Sequence, residues 1–432
     1  MEAPGVDATR VAVIGGGPGG LMVAERLAAV GVAVTVYEQM PSVGRKFLLA
    51  GRGGLNLTHS ESLDRLLTRY GSASPTLAGS IAGFDADALR AWCADLGEPT
   101  FVGSSGRVFP ESFRATPLLR AWLARLGELG VQVRVRHRWT GWQGFGVNQP
   151  ESDLANDRSS VRLGRGGTRL LTFEGPDGAP ATVEADAVVL ALGGASWPRV
   201  GSDGRWVETL RGEGVSVSDL RAANSGFAVE WSATFVERFS GMPVKNVRLS
   251  CGEAWSRGEA VVTDTGLEGG GIYALGPSIR GRLDFDGYAE LLIDLQPDRT
   301  VEQVATRLAK RRPKDSVSSV LSRTGGVSGV GIGLMREATQ NRLPWSTDAL
   351  AGLIKQVPIR LTGAEPIGRA ISTAGGVAFE EIDERFMLVR RPGVFVVGEM
   401  LDWEAPTGGY LLQATFSTAV AAAAGVREWL GC

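Results

Sequence analysis

Three glycines with a fixed spacing carry the clearest chemical signal in this sequence. Gly15, Gly17 and Gly20 lie between an apolar run at 11–14 and a helical pattern at 21–30. Between a strand and a helix, this spacing is typical of a dinucleotide-binding turn. The first glycine makes the turn, the second lets backbone approach a pyrophosphate, and the third lets helix and strand pack. The N-terminus of the helix then offers N–H donors and partial positive charge to phosphates.

An acidic residue stands where such a turn needs one. Glu38 ends the second strand-like run, 32–37, and would accept hydrogen bonds from ribose hydroxyls. A carboxylate at this place favours FAD or NAD over NADP. Pro18, Gly19 and Gln39 complete the predicted nucleotide site at this end of the chain.

A glycine-rich loop, 44–59, follows the ribose strand. So many glycines predict a close approach of backbone to a flat ligand. Arg45 is favoured over Arg52 for contact with a pyrophosphate or a substrate anion, because it lies just past the ribose strand. The candidate ligand-binding residues of the loop are Gly44, Arg45, Lys46, Gly51, Arg52, Gly53 and Asn56.

Whether the ligand is FAD or NAD depends on the rest of the chain. An FAD site must also hold a ribityl chain and a flavin ring, and the C-terminal part of the chain is suited to that. The buried-strand run 394–397 ends in Gly398 and Glu399, whose carboxylate suits ribityl hydroxyls or a water over the pyrophosphate; Asp402 is a second candidate. The last helix begins after a glycine pair, so its N-terminus would point at the flavin N1–C2 carbonyl edge. The further candidates of these loops are Gly193, Gly194, Gly408, Gly409 and Tyr410.

The elements that must position these residues belong to an α/β domain with an insertion. Apolar runs typical of buried strands occur at 11–14, 186–192 and 394–397, and the C-terminal pattern is helical. Between them, 220–296 is strand-like and 298–356 is helical. The sequence predicts a dinucleotide-binding domain formed by 1–195 and 368–432, interrupted by a domain over 196–367.

Composition excludes several other classes. The three cysteines are scattered and form no CxxC, which excludes a disulfide framework and a metal knuckle. The sequence therefore predicts no metal site and a cytoplasmic location. No stretch of eighteen apolar residues occurs, so no membrane contact is expected. The net charge of −2 produces no global attraction to nucleic acid. The oligomeric state is left open.

Six motifs together resemble a known family. They are the glycine turn, the loop at 44–58, GRVFPES (106–112), VVLALGGASWP (188–198), TAGGV (373–377) and GEMLDWEAPTGGY (398–410). They resemble the BaiN/RdsA family of NAD(P)/FAD-dependent oxidoreductases, in its bacterial branch. The resemblance spans nearly the whole chain. It implies FAD as cofactor, and a Rossmann-like FAD-binding domain interrupted by an inserted β-barrel and helical domain.

Two loops depart from the family pattern. Better-known members have Arg-Cys-Asn where this chain has Gly54-Leu55-Asn56. They have Thr-His-x-Gly and then Ser-Gly-Pro where this chain has Thr-Asp-Thr-Gly at 263–266 and three glycines at 269–271. Both loops are expected to face the substrate, so the resemblance predicts the flavin more firmly than the substrate.

The resemblance implies a hydride transfer through flavin N5. The predicted reaction acts on a carbon–carbon bond conjugated to a carbonyl in a small planar substrate, as a reduction or its reverse. Candidate acid–base groups are His59, Asp264 and Tyr273. A second dinucleotide turn is not predicted, since the glycines at 329–333 lack the spacing and the preceding strand. NAD(P)H is therefore expected to bind only transiently as an electron donor, or the electrons come from another source.

Two alternatives stay open on the sequence. One is a flavoprotein that reduces uridine in RNA, as one branch of the family does; the basic stretches 310–314 and 134–138 offer phosphate contacts. The other is a flavin sensor without catalysis. The net charge speaks against RNA, so a small-molecule substrate is preferred.

Overall fold

The computed structural model describes residues 9–143, 168–312 and 314–432, without the side chain of Arg52. The turn-rich sequence at 139–185 predicts a small antiparallel meander, and its polar stretches 148–160 and 164–167 lie outside these residues. Its strands are β1 (Arg10–Ile14), β2 (Ala33–Glu38), β3 (Thr58–His59), β4 (Thr100–Val102), β5 (Arg107–Pro110), β6 (Gln132–Val135), β7 (Arg138–Trp142), β8 (Arg169–Glu174), β9 (Pro180–Ala185), β10 (Ala187–Leu190), β11 (Val217–Ala223), β12 (Phe227–Ala228), β13 (Pro243–Cys251), β14 (Ala254–Val262), β15 (Gly266–Glu268), β16 (Ala289–Asp294), β17 (Val357–Leu361), β18 (Gly363–Ala364), β19 (Ser372–Val377) and β20 (Val394–Val396).

The α-helices lie between these strands or after the last one. Among the helices of the described residues, none is long and apolar enough to cross a membrane. They are α1 (Pro18–Ala28), α2 (Arg45–Ala50), α3 (Leu63–Leu67), α4 (Ser74–Gly83), α5 (Ala86–Asp95), α6 (Ala115–Glu128), α7 (Trp206–Gly212), α8 (Ala233–Phe239), α9 (Gly270–Tyr273), α10 (Gly276–Asp286), α11 (Val301–Leu308), α12 (Val317–Arg323), α13 (Gly329–Ala338), α14 (Thr347–Lys355) and α15 (Tyr410–Leu430).

The chain folds as two compact units, Met1–Arg221 with Thr373–Cys432, and Ala222–Ser372. The first unit contains a five-stranded parallel sheet in the order β20-β10-β1-β2-β6. Its inner strands are continuous apolar runs, because a parallel sheet covered on both faces buries every side chain. Val11–Ile14 and Ala187–Leu190 are buried throughout. The predicted Rossmann-type α/β architecture is confirmed.

Helices α1 and α15 pack against each other in this unit. Both carry small residues on their buried faces: Gly19 and Gly20 in α1, and Ala419, Ala422 and Ala423 in α15. Small side chains let two helix backbones approach closely, which brings the first and last helices of the chain together. The N-terminal turn and the C-terminal segment therefore belong to one core.

Two smaller antiparallel sheets flank the parallel one, in the orders β3-β5-β4 and β7-β8-β9. The alternating pattern at 131–138 predicts one half-buried strand, whereas the structure has two strands there. Arg136 adopts a positive φ of 58° between them, so β6 joins the parallel sheet and β7 begins the small meander.

The first unit extends further along the chain than residue 195, where the sequence prediction placed its end. Trp206, Val207 and Leu210 are buried in its core, and Trp206 Nε1 donates a hydrogen bond to Gly193 O at 2.9 Å. The segment 196–221 therefore packs with the dinucleotide fold. The chain re-enters this unit at Thr373, close to the predicted residue 368.

The second unit has its own core beneath an antiparallel sheet in the order β17-β16-β13-β14-β15-β12-β18. The strands at the two ends of this order are consecutive along the chain, separated only by Thr362, whose N–H donates to Ala228 O. Helices α11–α14 occupy 301–355, where helical periodicity was predicted. The inserted β-rich and helical composition matches the prediction, whereas a closed barrel stays a prediction.

Candidate functional site

The glycine turn after β1 is shaped by close backbone contacts. At Gly15 (φ +108°) a β-carbon would lie 2.3 Å from Ala191 O, and at Gly20 it would lie 2.0 Å from Gly15 O. Neither position has room for a side chain. At Gly17, the residue before α1, a β-carbon would meet no described atom within 4 Å. The turn is therefore closed on the protein side and open at Gly17, above the first N–H groups of α1.

Glu38 lies at the end of β2, beside this turn. Its carboxylate accepts hydrogen bonds from the N–H groups of Gly16 (2.8 Å) and Met40 (2.7 Å). Burial raises the pKa of Glu38 above its ordinary value, and these two donors act in the opposite direction. The neighbouring Gln39 donates from Nε2 to Gly201 O at 2.7 Å, so its amide holds a loop.

The glycine-rich loop begins beside the same turn. The N–H of Gly44 donates to Gly16 O at 2.8 Å and Gly44 precedes α2. A β-carbon at Gly51 would lie 2.5 Å from that of Ala115, whereas Gly53 is exposed with open space. Among the described residues, the buried atoms Arg45 Nε and Asn56 Oδ1 have no hydrogen-bond partner. The side chain of Arg52 lies outside the described part of the structure.

Lys46 and Glu399 form an ion pair that gathers several loops. Lys46 Nζ donates to Glu399 Oε2 and to Ser196 Oγ, each at 2.7 Å. The other carboxylate oxygen of Glu399 accepts from the N–H of Thr373 at 2.9 Å. Gly194 N also lies 3.4 Å from Glu399 Oε2. Sequence reasoning singled out Lys46, Glu399 and Gly194, but not Ser196 or Thr373. Ser196 and Thr373 lie in the motifs at 188–198 and 373–377, and that position could have identified them as site residues.

The C-terminal loops approach the same fold through glycines. At Gly409 (φ +94°), directly before α15, a β-carbon would lie 2.5 Å from Thr58 N, so the helix begins against the glycine-rich loop. A β-carbon at Gly408 would lie 2.6 Å from the Tyr410 ring. The N–H of Gly398 donates to Thr418 Oγ1. The carboxylate of Asp402 accepts a 2.6 Å hydrogen bond from Ser218 Oγ, which ties it to the start of β11.

His59 belongs to a cluster at the start of α15. Its ring stacks on Tyr410 at 5.5 Å between centroids. His59 Nε2 lies 3.0 Å from Ser105 O, and Nδ1 lies 3.2 Å from the N–H of Glu61. A backbone acceptor at one nitrogen and a backbone donor at the other select the neutral tautomer with its proton on Nε2.

The same cluster holds Tyr410 through charged partners that sequence reasoning missed. Tyr410 OH donates to Glu61 Oε1 at 2.7 Å, and Arg69 binds both carboxylate oxygens of Glu61, at 3.0 and 2.7 Å. Arg69 lowers the pKa of Glu61, whereas burial and the bond to Glu61 raise the pKa of Tyr410. Tyr70 OH donates to Tyr410 O at 2.8 Å.

Asp264 and Tyr273 lie in the second unit. Asp264 is exposed in the turn between β14 and β15, and Tyr273 is half-buried at the end of α9. Burial raises the pKa of Tyr273. His137, the other histidine, donates its backbone N–H to Glu38 O at 2.9 Å.

These groups fit a dinucleotide such as FAD. The open space at Gly17 admits a pyrophosphate, and the partnerless Arg45 Nε and Asn56 Oδ1 are buried polar atoms that need a ligand or water. Arginine, lysine and helix N–H groups suit phosphates, and the carboxylates of Glu38 and Glu399 suit sugar hydroxyls. The hydrogen-bonding groups of the site therefore match the phosphates and sugar hydroxyls of FAD.

Comparison with known proteins agrees with this fit. Residues 9–425 match the family model described as the HI0933-like protein Rossmann domain. A ribosomal RNA dihydrouridine synthase of Haemophilus influenzae is 23% identical, over 96% of this chain and 98% of its own. A 3-dehydro-bile acid delta(4,6)-reductase of Clostridium scindens is 24% identical, over 97% of this chain and 99% of its own. The predicted BaiN/RdsA resemblance is confirmed.

Solved structures share the fold. The 3-ketosteroid delta1-dehydrogenase from Sterolibacterium denitrificans has a TM-score of 0.52 and 14% identity, over 97% of this chain and 99% of that chain. A flavocytochrome c3 fumarate reductase has a TM-score of 0.50 and 14% identity, over 98% of this chain and 79% of that chain. Because its residues 9–425 match the family model, the chain belongs to the HI0933-like Rossmann family of FAD-dependent oxidoreductases.

Proposed function

We propose that this enzyme transfers a hydride to or from a carbon–carbon bond conjugated to a carbonyl group in a small planar substrate. The observation that carries the proposal is the Lys46–Glu399 pair. It joins loops from both ends of the chain beside the cofactor turn, as a site for the ribityl–flavin half of FAD requires. The substrate class is supported by the relative named as a 3-dehydro-bile acid delta(4,6)-reductase, which matches nearly the full length.

Each group of the site has a task in this proposal. Bound FAD supplies a hydride donor and acceptor at N5. Glu38 binds the ribose hydroxyls, and the N-terminus of α1 offers N–H groups to the pyrophosphate. Glu399 would accept hydrogen bonds from the ribityl hydroxyls, and Lys46 would donate to the ribityl chain or to the adjoining phosphate. The N-terminal end of α15, which Gly409 holds against Thr58, would supply partial positive charge that stabilises a reduced flavin.

The proton that accompanies the hydride needs a separate donor. Because both nitrogens of His59 meet backbone groups, we assign it to positioning the 58–61 segment beneath Tyr410. Asp264 and Tyr273 then stay as candidate donors. Substitutions that remove the acidic proton test these two candidates: Asp264→Asn and Tyr273→Phe should each lower turnover. The matched controls, Asp177→Asn and Tyr288→Phe, should leave turnover unchanged. Asp177 is likewise exposed in a turn, and Tyr288 is likewise partly exposed in the second unit.

The test of the reaction starts with the purified holoenzyme. We expect released flavin to be FAD, NADH or NADPH to bleach it anaerobically, and an enone such as 2-cyclohexenone to reoxidise it with formation of the saturated ketone. NAD(P)H is included as a transient donor. If flavin is reduced but neither an enone nor a uracil-like acceptor reoxidises it with product formed, the proposed substrate class is wrong.

RNA is the second candidate substrate, because the relative from Haemophilus influenzae is named as a ribosomal RNA dihydrouridine synthase. Lys310, Arg311 and Arg312 are exposed after α11, beside Trp345, which is 69% exposed. Arg311 Nη1 donates to Trp345 O at 3.2 Å, so a basic turn and an aromatic ring share one surface. Binding of total RNA at ~50 mM salt that weakens steeply with added salt would support this candidate. No binding at that salt concentration would exclude it.

A reducing, cytoplasmic setting is part of the proposal. Cys93, Cys251 and Cys432 are all free thiols. Burial raises the pKa of the Cys93 thiol to about 12, which keeps it protonated and unreactive. Growth in a reducing compartment would leave all three titratable with a thiol reagent after unfolding.

A further inference from the structure

The buried hydroxyl of Ser202 lies near the cofactor turn. Ser202 is 5% exposed, and its Oγ is a buried atom without a hydrogen-bond partner among the residues that the structure describes. Buried polar groups in native proteins are almost always paired with protein, water or ligand. Such a hydroxyl suits a water or a ligand as its partner, and the neighbouring groups distinguish the two.

Ser202 is surrounded by groups that belong to the candidate cofactor site. A β-carbon at Gly193 would lie 3.5 Å from Ser202 Oγ and 3.9 Å from Glu399 Oε2. Both atoms therefore line the space beside Gly193 that a side chain would fill at any other residue type. One residue earlier, a β-carbon at Gly201 would lie 3.5 Å from Glu38 Oε1. Ser202 stands between the two carboxylates that suit sugar hydroxyls.

The loop that carries Ser202 is held at both ends. Gln39 Nε2 donates to Gly201 O at 2.7 Å, and Trp206 Nε1 donates to Gly193 O at 2.9 Å. These bonds join the loop to the end of β2 and to the end of β10. Because the loop is fixed, the hydroxyl is presented at a defined place, which favours binding by lowering the entropy cost of ordering.

We infer that Ser202 is a cofactor-binding residue, whose hydroxyl donates a hydrogen bond to FAD where the diphosphate joins the ribityl chain. That junction lies between the ribose bound at Glu38 and the ribityl hydroxyls bound at Glu399. The inference rests on the cofactor site and is independent of the substrate proposed above.

The experiment compares two serines with the same burial. Ser225, in the other unit, is 6% exposed, and among the described residues its Oγ also has no partner. Apo-protein of wild type, Ser202→Ala and Ser225→Ala is titrated with FAD, followed by flavin fluorescence, and with ADP in competition. Ser202→Ala should raise the FAD dissociation constant about tenfold or more, as loss of a hydrogen bond to a charged group does. Ser225→Ala should leave it unchanged.

The unfolding midpoint of each apo-protein separates binding from structure. Removing a partnerless hydroxyl should leave both midpoints at or above the wild-type value. A Ser202→Ala dissociation constant equal to wild type, an equal loss in Ser225→Ala, or a lower apo midpoint for Ser202→Ala alone would each overturn the inference. No substrate is present, so failure of the proposed reaction leaves this result unaffected.

Discussion

Alanine at two glycines of the same turn should have opposite effects. At Gly17 (φ −81°, ψ −178°) the backbone is one that alanine adopts freely, and a β-carbon would meet no described atom within 4 Å. Gly17→Ala should therefore stabilise the apo-protein by about 0.4–1 kcal/mol, because it reduces the freedom of the unfolded chain. In the holoenzyme the new methyl group would occupy the space that the pyrophosphate needs.

Losing one charge-assisted hydrogen bond to the phosphate costs about 1.5–3 kcal/mol, so FAD should bind on the order of 10- to 150-fold more weakly to Gly17→Ala. Gly20→Ala is the matched control. Its β-carbon would lie 2.0 Å from Gly15 O, a backbone atom, and the strain should destabilise the apo-protein by roughly 1–3 kcal/mol or more.

The assays are urea unfolding of both apo-proteins and titration of each with FAD. Gly17→Ala should lose affinity for FAD while the apo-protein keeps its stability to urea. Gly20→Ala should instead lose stability to urea. If Gly17→Ala binds FAD as tightly as wild type, the pyrophosphate does not lie over Gly17. If both variants lose the same stability, the open space at Gly17 is not present in solution.

Three further predictions concern the polar clusters. Tyr410→Phe removes the donor to Glu61 and should cost about 1 kcal/mol in urea unfolding; an unchanged midpoint would contradict it. Lys46 and Glu399 are partly exposed, with side chains 27% and 14% accessible. A double-mutant cycle with Lys46→Met and Glu399→Gln should therefore give a coupling of only ~1 kcal/mol, and one that does not fall with added salt would argue against an ion pair. The pKa of Glu61 is lowered in the folded state by Arg69. Its contribution to stability is thus present above the unfolded pKa of about 4.3 and is lost as pH falls through the folded pKa. Glu61→Gln should flatten the pH dependence of unfolding between pH 7 and pH 3, and identical profiles would contradict this assignment.

The parts of the fold that the sequence predicted are those set by local pattern. The apolar run at 11–14, the three glycines and Glu38 are close along the chain, and each residue type has a direct geometric reason. Buried parallel strands are recognisable as unbroken apolar runs, so β10 and β20 were also found.

The polar partners of the site were predicted less well, because they depend on tertiary contacts. Tyr410 meets Glu61 across 349 positions of sequence, and Lys46 meets Glu399 across 353. Lys46 and Glu399 were each predicted to contact the cofactor, but the local sequence pattern does not indicate that they pair with each other. His59 was selected because histidines are rare here; only the fold shows that backbone groups meet both of its nitrogens.

The domain boundary differed for a similar reason. The change of pattern after residue 195 suggested a new domain, but Trp206 and Leu210 are buried in the first core. Whether such a segment packs on the domain before it or on the domain after it depends on the fit between folded surfaces. Composition alone does not contain that information.

The packing of α1 on α15 has a consequence for the order of events during synthesis. The ribose carboxylate and the glycine turn are made among the first forty residues, whereas Glu399 and Gly409 are made near the end. A nascent chain therefore carries half of a cofactor site for most of its translation, while the unit at 222–372, with its own core, is already complete. The complete set of cofactor-binding groups is assembled only when α15 packs on α1, so we expect full-affinity FAD binding to require the C-terminal segment.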